Sequence, residues 1–158
     1  MATGVSGALV FSSGTTKAGA SGDISIGTGL ATGGVAGSVY LTAGRSNQAN
    51  GADVVISAGT TSSTGGGAVS ITAGQGIGGS GGSLVFAAGI GTTKTGGFVD
   101  IRSGAGTATS SGMITIRTAN ADAKGVSGAL VFSSGEAESG NSGDITIGSG
   151  PATYGNGG

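Results

Sequence analysis

The chain has 158 residues, of which 39 are Gly and one is Pro, and its six Lys and Arg nearly balance seven Asp and Glu. Collagen needs Gly at every third position with abundant Pro, and intrinsic disorder needs low hydropathy with high net charge. Neither class fits a chain of net charge −1 and mean hydropathy +0.28. The absence of His and Cys removes the usual general base, the nucleophilic thiol and most transition-metal ligands.

An eight-residue motif recurs along the chain: Gly, any residue, a large aliphatic, any residue, a large aliphatic or Phe, any residue, a small residue, Gly. We number these positions 1 to 8 and call them the motif segment; the residues that follow, positions 9 to 15, are the return segment. A fixed period shorter than a domain indicates an array of repeats. The ten motif segments start 15 residues apart, with one spacing of 16 between Gly112 and Gly128, and lie at residues 7–14, 22–29, 37–44, 52–59, 67–74, 82–89, 97–104, 112–119, 128–135 and 143–150.

The alternation inside each motif segment predicts a β-strand, because positions 3 and 5 of a strand point to the same face. The density of Gly, Thr, Ser and Val disfavours helix. The sequence therefore predicts an all-β fold, a parallel β-solenoid of ten stacked 15-residue coils. The expected inward residues are Leu9, Phe11, Ile24, Ile26, Val39, Leu41, Val54, Ile56, Val69, Ile71, Leu84, Phe86, Val99, Ile101, Ile114, Ile116, Leu130, Phe132, Ile145 and Ile147.

A two-sheet solenoid with 30 residues per coil is the alternative, since Asp23, Asp53 and Asp144 all fall in even-numbered repeats. The 15-residue coil is favoured by Gly at positions 1 and 8, where a flattened coil would turn. It is also favoured by small residues at position 10, which would let the return segment close onto the aliphatic pair. These small residues are Thr16, Ala31, Ser46, Thr61, Gly76, Gly91 and Gly106.

A longer repeat is superimposed on the first. Residues 4–14 recur unchanged at 125–135, so a second block of eight repeats starts near residue 125. The terminal repeats resemble interior ones, whereas a finished solenoid usually has polar caps. We therefore expect the chain to be a segment of a longer array whose uncapped strand edges allow copies to stack end to end.

No residue set predicts chemistry. The pattern GxGxxG at 74–79 opens no helix and is expected by chance in so Gly-rich a chain, and we expect no catalytic, cofactor-binding or metal-binding residues. Asp100 and Arg102 are expected to form a surface ion pair. A possible lateral contact patch comprises Phe98, Asp100, Arg102, Met113 and Arg117 on the outward face; scattered exposed side chains are the alternative interpretation.

The scattered Lys and Arg provide no basic stripe for nucleic acid, and no apolar run is long enough to insert in a membrane. The motifs GALVFSSG, GDISIGTG and GSVYLTAG resemble the Gly/Ser/Thr-rich repeat regions of large algal and protist surface or secreted proteins. That resemblance implies a non-enzymatic spacer, stalk or adhesive module at the cell surface or outside the cell, whose glycan or surface ligand stays unknown. The alternative is an ice-binding β-solenoid, although Asp100, Arg102 and Tyr40 interrupt the Thr ranks it would need.

Overall fold

The computed structural model describes residues 6–47, 49–122 and 124–156, and within these ranges no residue belongs to an α-helix or a β-strand. The predicted β-solenoid is therefore wrong, for the 15-residue coil and the 30-residue coil alike. None of the ten motif segments forms a strand in its described residues. A strand needs a ladder of hydrogen bonds to a neighbour, and no such ladder joins successive repeats in the described parts of the chain.

The backbone hydrogen bonds are local. In four successive repeats, the N–H of the Gly at position 1 donates to the carbonyl of the Gly at position 8 of the preceding motif segment, at 2.9 Å each time. This bond closes the intervening return segment into a loop, and we call the two Gly residues that it joins a neck. The four necks are Gly59–Gly67, Gly74–Gly82, Gly89–Gly97 and Gly104–Gly112.

The necks explain why positions 1, 7 and 8 are small. A Cβ added to Gly67 would lie 3.2 Å from the amide nitrogen of Gly59 and 3.4 Å from the Cβ of Ala58, which occupies position 7. The half-buried residues of the described chain are Ala58, Ala73 and Thr118, all at position 7. In the repeats that have a neck, the backbone therefore packs more closely at the neck than the side chains of the aliphatic pair do.

The chain bends at positions 11 to 13 in eight return segments. The return segment after 112–119 instead has a turn at Lys124, and the one after 37–44 contains a residue outside the described ranges. The bends follow the 15-residue period of the sequence and move by one residue after the 16-residue spacing. Complete bends lie at residues 17–19, 32–34, 62–64, 77–79, 92–94, 107–109, 138–140 and 153–155. The sequence period is thus also a structural period, but the unit that repeats is a bent loop and not a coil of β-sheet.

Position 10 lies close to the backbone of the bend in the repeats where it is Thr61 or a Gly, whereas four other repeats have Ala there. Where it carries a hydroxyl, the side chain bonds to the bend backbone: the Thr61 hydroxyl accepts from the N–H groups of Ser63 at 3.3 Å and Thr64 at 3.4 Å. Where it is Gly76, the chain passes so close that an added Cβ would lie 2.6 Å from the carbonyl oxygen of Gly79. Gly91 and Gly106 are crowded in the same way. Position 10 is therefore small because of the bend itself, and not because it faces an aliphatic core.

No apolar side chain among the described residues is buried, so the predicted core is absent. The chain exposes 15731 Å², whereas a folded monomer of 14.3 kDa exposes about 6,800 Å² and an unfolded one about 21,000 Å². The predicted facing is visible in segment 52–59, where Val54 and Ile56 are 50% and 65% exposed and the intervening Val55 is 83% exposed. It is not visible in segment 7–14, where Leu9 is 82% and Val10 is 78% exposed. Two aliphatic side chains per 15 residues form a face but enclose nothing.

The chain divides into two parts, Met1–Gly82 and Ser83–Gly158. The first part contains the necks at Gly59–Gly67 and Gly74–Gly82, and the second contains those at Gly89–Gly97 and Gly104–Gly112. Within the described ranges, no helix is long and apolar enough to cross a membrane.

Candidate contact surface

The five residues of the predicted contact patch come from two successive motif segments of the second part. Phe98, Asp100 and Arg102 occupy positions 2, 4 and 6 of one segment, and Met113 and Arg117 occupy positions 2 and 6 of the next. Phe98 and Met113 are each 86% exposed. Side chains so uncovered lie as separate apolar groups and do not pack into a cluster.

Asp100 and Arg102 form the expected ion pair, with 2.6 Å between the Arg102 Nη2 and Asp100 Oδ2 atoms. The Arg102 side chain is 82% exposed and that of Asp100 is 39% exposed. A pair so open to solvent contributes about 0–1 kcal/mol to stability, so its effect is to fix the orientation of two side chains. Arg117 takes part in no ion pair within the described residues, and its guanidinium is free to meet an external group.

Arg117 also lines an open depression of about 340 Å³ together with Thr118, Ala119 and Asn120. The depression lies in the repeat that carries the extra residue, where Ala119 replaces the Gly usual at position 8. A turn follows it, in which the N–H of Gly125 donates to the carbonyl of Asp122 at 3.0 Å. The sequence signal for this site is the single spacing of 16 between Gly112 and Gly128.

The groups at this surface can make contacts, but no described arrangement supports a reaction. The Arg117 guanidinium can donate hydrogen bonds, and the Thr118 hydroxyl and the Asn120 amide can both donate and accept them. Phe98 and Met113 expose apolar area in the same two motif segments. The described residues contain no group of three or more carboxylates placed to hold a metal ion. The patch is therefore best described as a candidate contact surface.

Comparison of the chain with protein-family models, with curated proteins and with solved structures gives no match. The resemblance to algal and protist repeat regions accordingly depends on the repeated motif alone. Function must be inferred from the geometry of the repeats and from the groups that they expose.

Proposed function

We propose that the chain is a non-enzymatic structural repeat module, a spacer or stalk with adhesive contacts, within a larger protein at the cell surface or outside the cell. One observation carries the proposal: four successive repeats close with the same Gly–Gly neck at the same distance of 2.9 Å. Because each closure uses only its own repeat and the first residue of the next, repeats can be added without altering those already present.

The residue inventory supports this proposal. A chain without His or Cys lacks the groups that most often serve as general base or nucleophile. The seven carboxylates lie mostly in different repeats. The candidate contact surface offers the free guanidinium of Arg117 and the exposed apolar side chains of Phe98 and Met113. Such a surface suits lateral adhesion to a neighbouring molecule.

The extracellular placement is supported by the motif resemblance and by the composition. Six Lys and Arg, scattered along the chain, give no electrostatic footprint for a nucleic acid partner. A ligand at the surface would meet mostly Gly, Ser, Thr and exposed aliphatic groups. We propose neither a cofactor nor a metal ion for this module.

The test is to vary the number of repeats and measure the distance between the ends. Chains of five, ten and twenty repeats, with a donor and an acceptor dye at their termini, are compared by single-molecule energy transfer. A spacer of equivalent repeats adds a constant increment per repeat, whereas a flexible Gly/Ser-rich coil grows roughly as the square root of length. Square-root growth would contradict the spacer role.

Two further assays separate the proposal from other classes of function. A screen of hydrolase and metal-dependent substrates should give no turnover, and a specific turnover would contradict the non-enzymatic assignment. Thermal hysteresis and faceting of ice crystals would favour the ice-binding alternative. That alternative needs a flat ranked Thr face, and the described residues contain no sheet to bear one.

A further inference from the structure

Each repeat presents a face of large apolar side chains that nothing in the described chain covers. In the segments 82–89 and 128–135, positions 3 and 5 are 51–67% exposed, and the intervening Val85 and Val131 are 77% and 75% exposed. Positions 3 and 5 are thus partly sheltered on one side, while much of their area stays in contact with water. We call the set of side chains at positions 3 and 5 the apolar face.

The backbone of the same segments is also unpaired. In the described residues, positions 2 to 7 of every repeat form no backbone-to-backbone hydrogen bond. These positions are rich in Val, Ile, Leu and Phe, which favour extended, paired backbone. A segment with free N–H and C=O groups and β-prone side chains is a template for pairing with another extended chain.

We propose that the motif segments pair side by side with the motif segments of a second copy of this chain, so that the apolar faces of the two copies cover one another. This lateral pairing goes beyond the spacer role and differs from the end-to-end stacking expected from the sequence. That stacking required strand edges at the ends of a coil, and the described residues contain no strands.

A second copy fits because it supplies the same segment at the same 15-residue spacing. Once one pair of segments has bound, the following pairs form within the same complex. Such multivalent contacts raise the overall affinity of the two copies without any new type of contact. An unrelated partner would need a matching period. Charge offers little resistance, because five motif segments carry no ionised side chain: 7–14, 37–44, 67–74, 82–89 and 128–135.

The available area is more than sufficient. The exposed surface of 15731 Å² exceeds that of a folded monomer of this mass by about 8,900 Å². A stable interface buries only about 800 Å² on each partner. Part of that exposed surface is apolar, because the side chains at positions 3 and 5 are each at least 48% exposed. A lateral pair would cover these side chains while satisfying the free backbone groups.

Sedimentation velocity across a hundredfold range of concentration tests the proposal with two matched variants. Ile71→Asn/Phe86→Asn alters position 5 in two uncharged segments, and Ser70→Asn/Val85→Asn alters position 4 of the same segments with the same new side chain. We expect the first variant to raise the concentration of half-association at least tenfold and the second to raise it less than threefold. A wild-type chain that stays monomeric throughout, or equal shifts in the two variants, would overturn the proposal.

A crosslinking experiment distinguishes lateral pairing from other self-association. The chain has no Cys, so Ser70→Cys places a single thiol in a motif segment and Thr93→Cys places one in a bend. Paired segments bring backbones to about 4.5–5.5 Å, which a disulfide can bridge. We expect oxidised dimers from Ser70→Cys at least five times more abundantly than from Thr93→Cys. Equal yields, or a greater yield from the bend, would assign the association to another surface and contradict the pairing.

Discussion

Replacing Gly76 by Ala should open the return segment in which it lies. An added Cβ would be 2.6 Å from the carbonyl oxygen of Gly79 and closer still to that of Ser80. Reaching an ordinary contact of 3.4 Å requires a shift of about 0.8 Å from the Gly79 oxygen and a larger shift from the Ser80 oxygen. Both obstructing atoms belong to the backbone, which cannot rotate away as a flexible side chain would. Local strain of this kind costs about 1–3 kcal/mol.

The neck that closes this return segment cannot hold it against such strain. The bond from the Gly82 N–H to the Gly74 carbonyl, open to solvent, contributes about 1 kcal/mol net, which corresponds to a neck closed about 85% of the time. Strain of about 2 kcal/mol would lower that fraction to about 15%.

The assay is the temperature coefficient and chemical shift of the Gly82 amide by NMR, with Gly78→Ala as the control. Gly78 lies in the same bend, and a Cβ there would meet nothing within 4 Å. We expect Gly76→Ala to shift the Gly82 amide to the chemical shift and temperature coefficient of an amide without a hydrogen bond. We expect Gly78→Ala to leave both values unchanged. An unaltered amide in Gly76→Ala, or equal loss in both variants, would refute the crowding at position 10.

Three further predictions concern single features of the repeats. Gly19→Ala should distort its bend at a cost of about 1–2 kcal/mol, because Gly19 has φ +115° in a region that side chains disfavour. The control Gly34→Ala, at the same position 13 with ordinary φ and open space, should leave its bend undistorted. Backbone coupling constants at the two bends distinguish these outcomes. Thr61→Val should loosen the bend at 62–64, because the Thr61 hydroxyl accepts hydrogen bonds from two amides. The chemical shift of the Thr64 amide proton should then depend more strongly on temperature than in the control Thr60→Val. Asp100→Asn should leave the Gly97 and Gly112 amide shifts unchanged, since its exposed ion pair contributes little; loss of either neck would show that the pair is structural.

The period and the facing of the repeats could be predicted from sequence, whereas their closure could not. The 15-residue spacing reappears in the bends, and Val54 and Ile56 lie on the more sheltered side, as the alternation predicted. The alternation of apolar residues predicts only which side chains share a face. It does not predict whether another segment covers that face. The β-solenoid was inferred by assuming such a cover. The Gly residues at positions 1 and 8, which the sequence predicts as coil corners, instead form necks within single loops in four repeats.

Within the candidate contact surface, the ion pair could be predicted from the sequence and the depression beside Arg117 could not. Asp100 and Arg102, two apart in an extended segment, share a side and form the expected ion pair. The depression is lined by Arg117, Thr118, Ala119 and Asn120, in the repeat with the 16-residue spacing, and a spacing does not specify the local path of the backbone. Whether Phe98 and Met113 serve as contacts stays a prediction.

The most direct test of the central claim, a chain of bent loops closed by Gly necks, is residue-resolved amide hydrogen exchange at a concentration where the chain is monomeric. We expect weak protection, about fivefold, once per period at Gly67, Gly82, Gly97 and Gly112, where the neck bonds form. Positions 2 to 7 of the motif segments should exchange as freely as an unfolded peptide. Continuous protection above about a hundredfold through residues 68–73 and 83–88, as a cooperative sheet would give, would contradict the account.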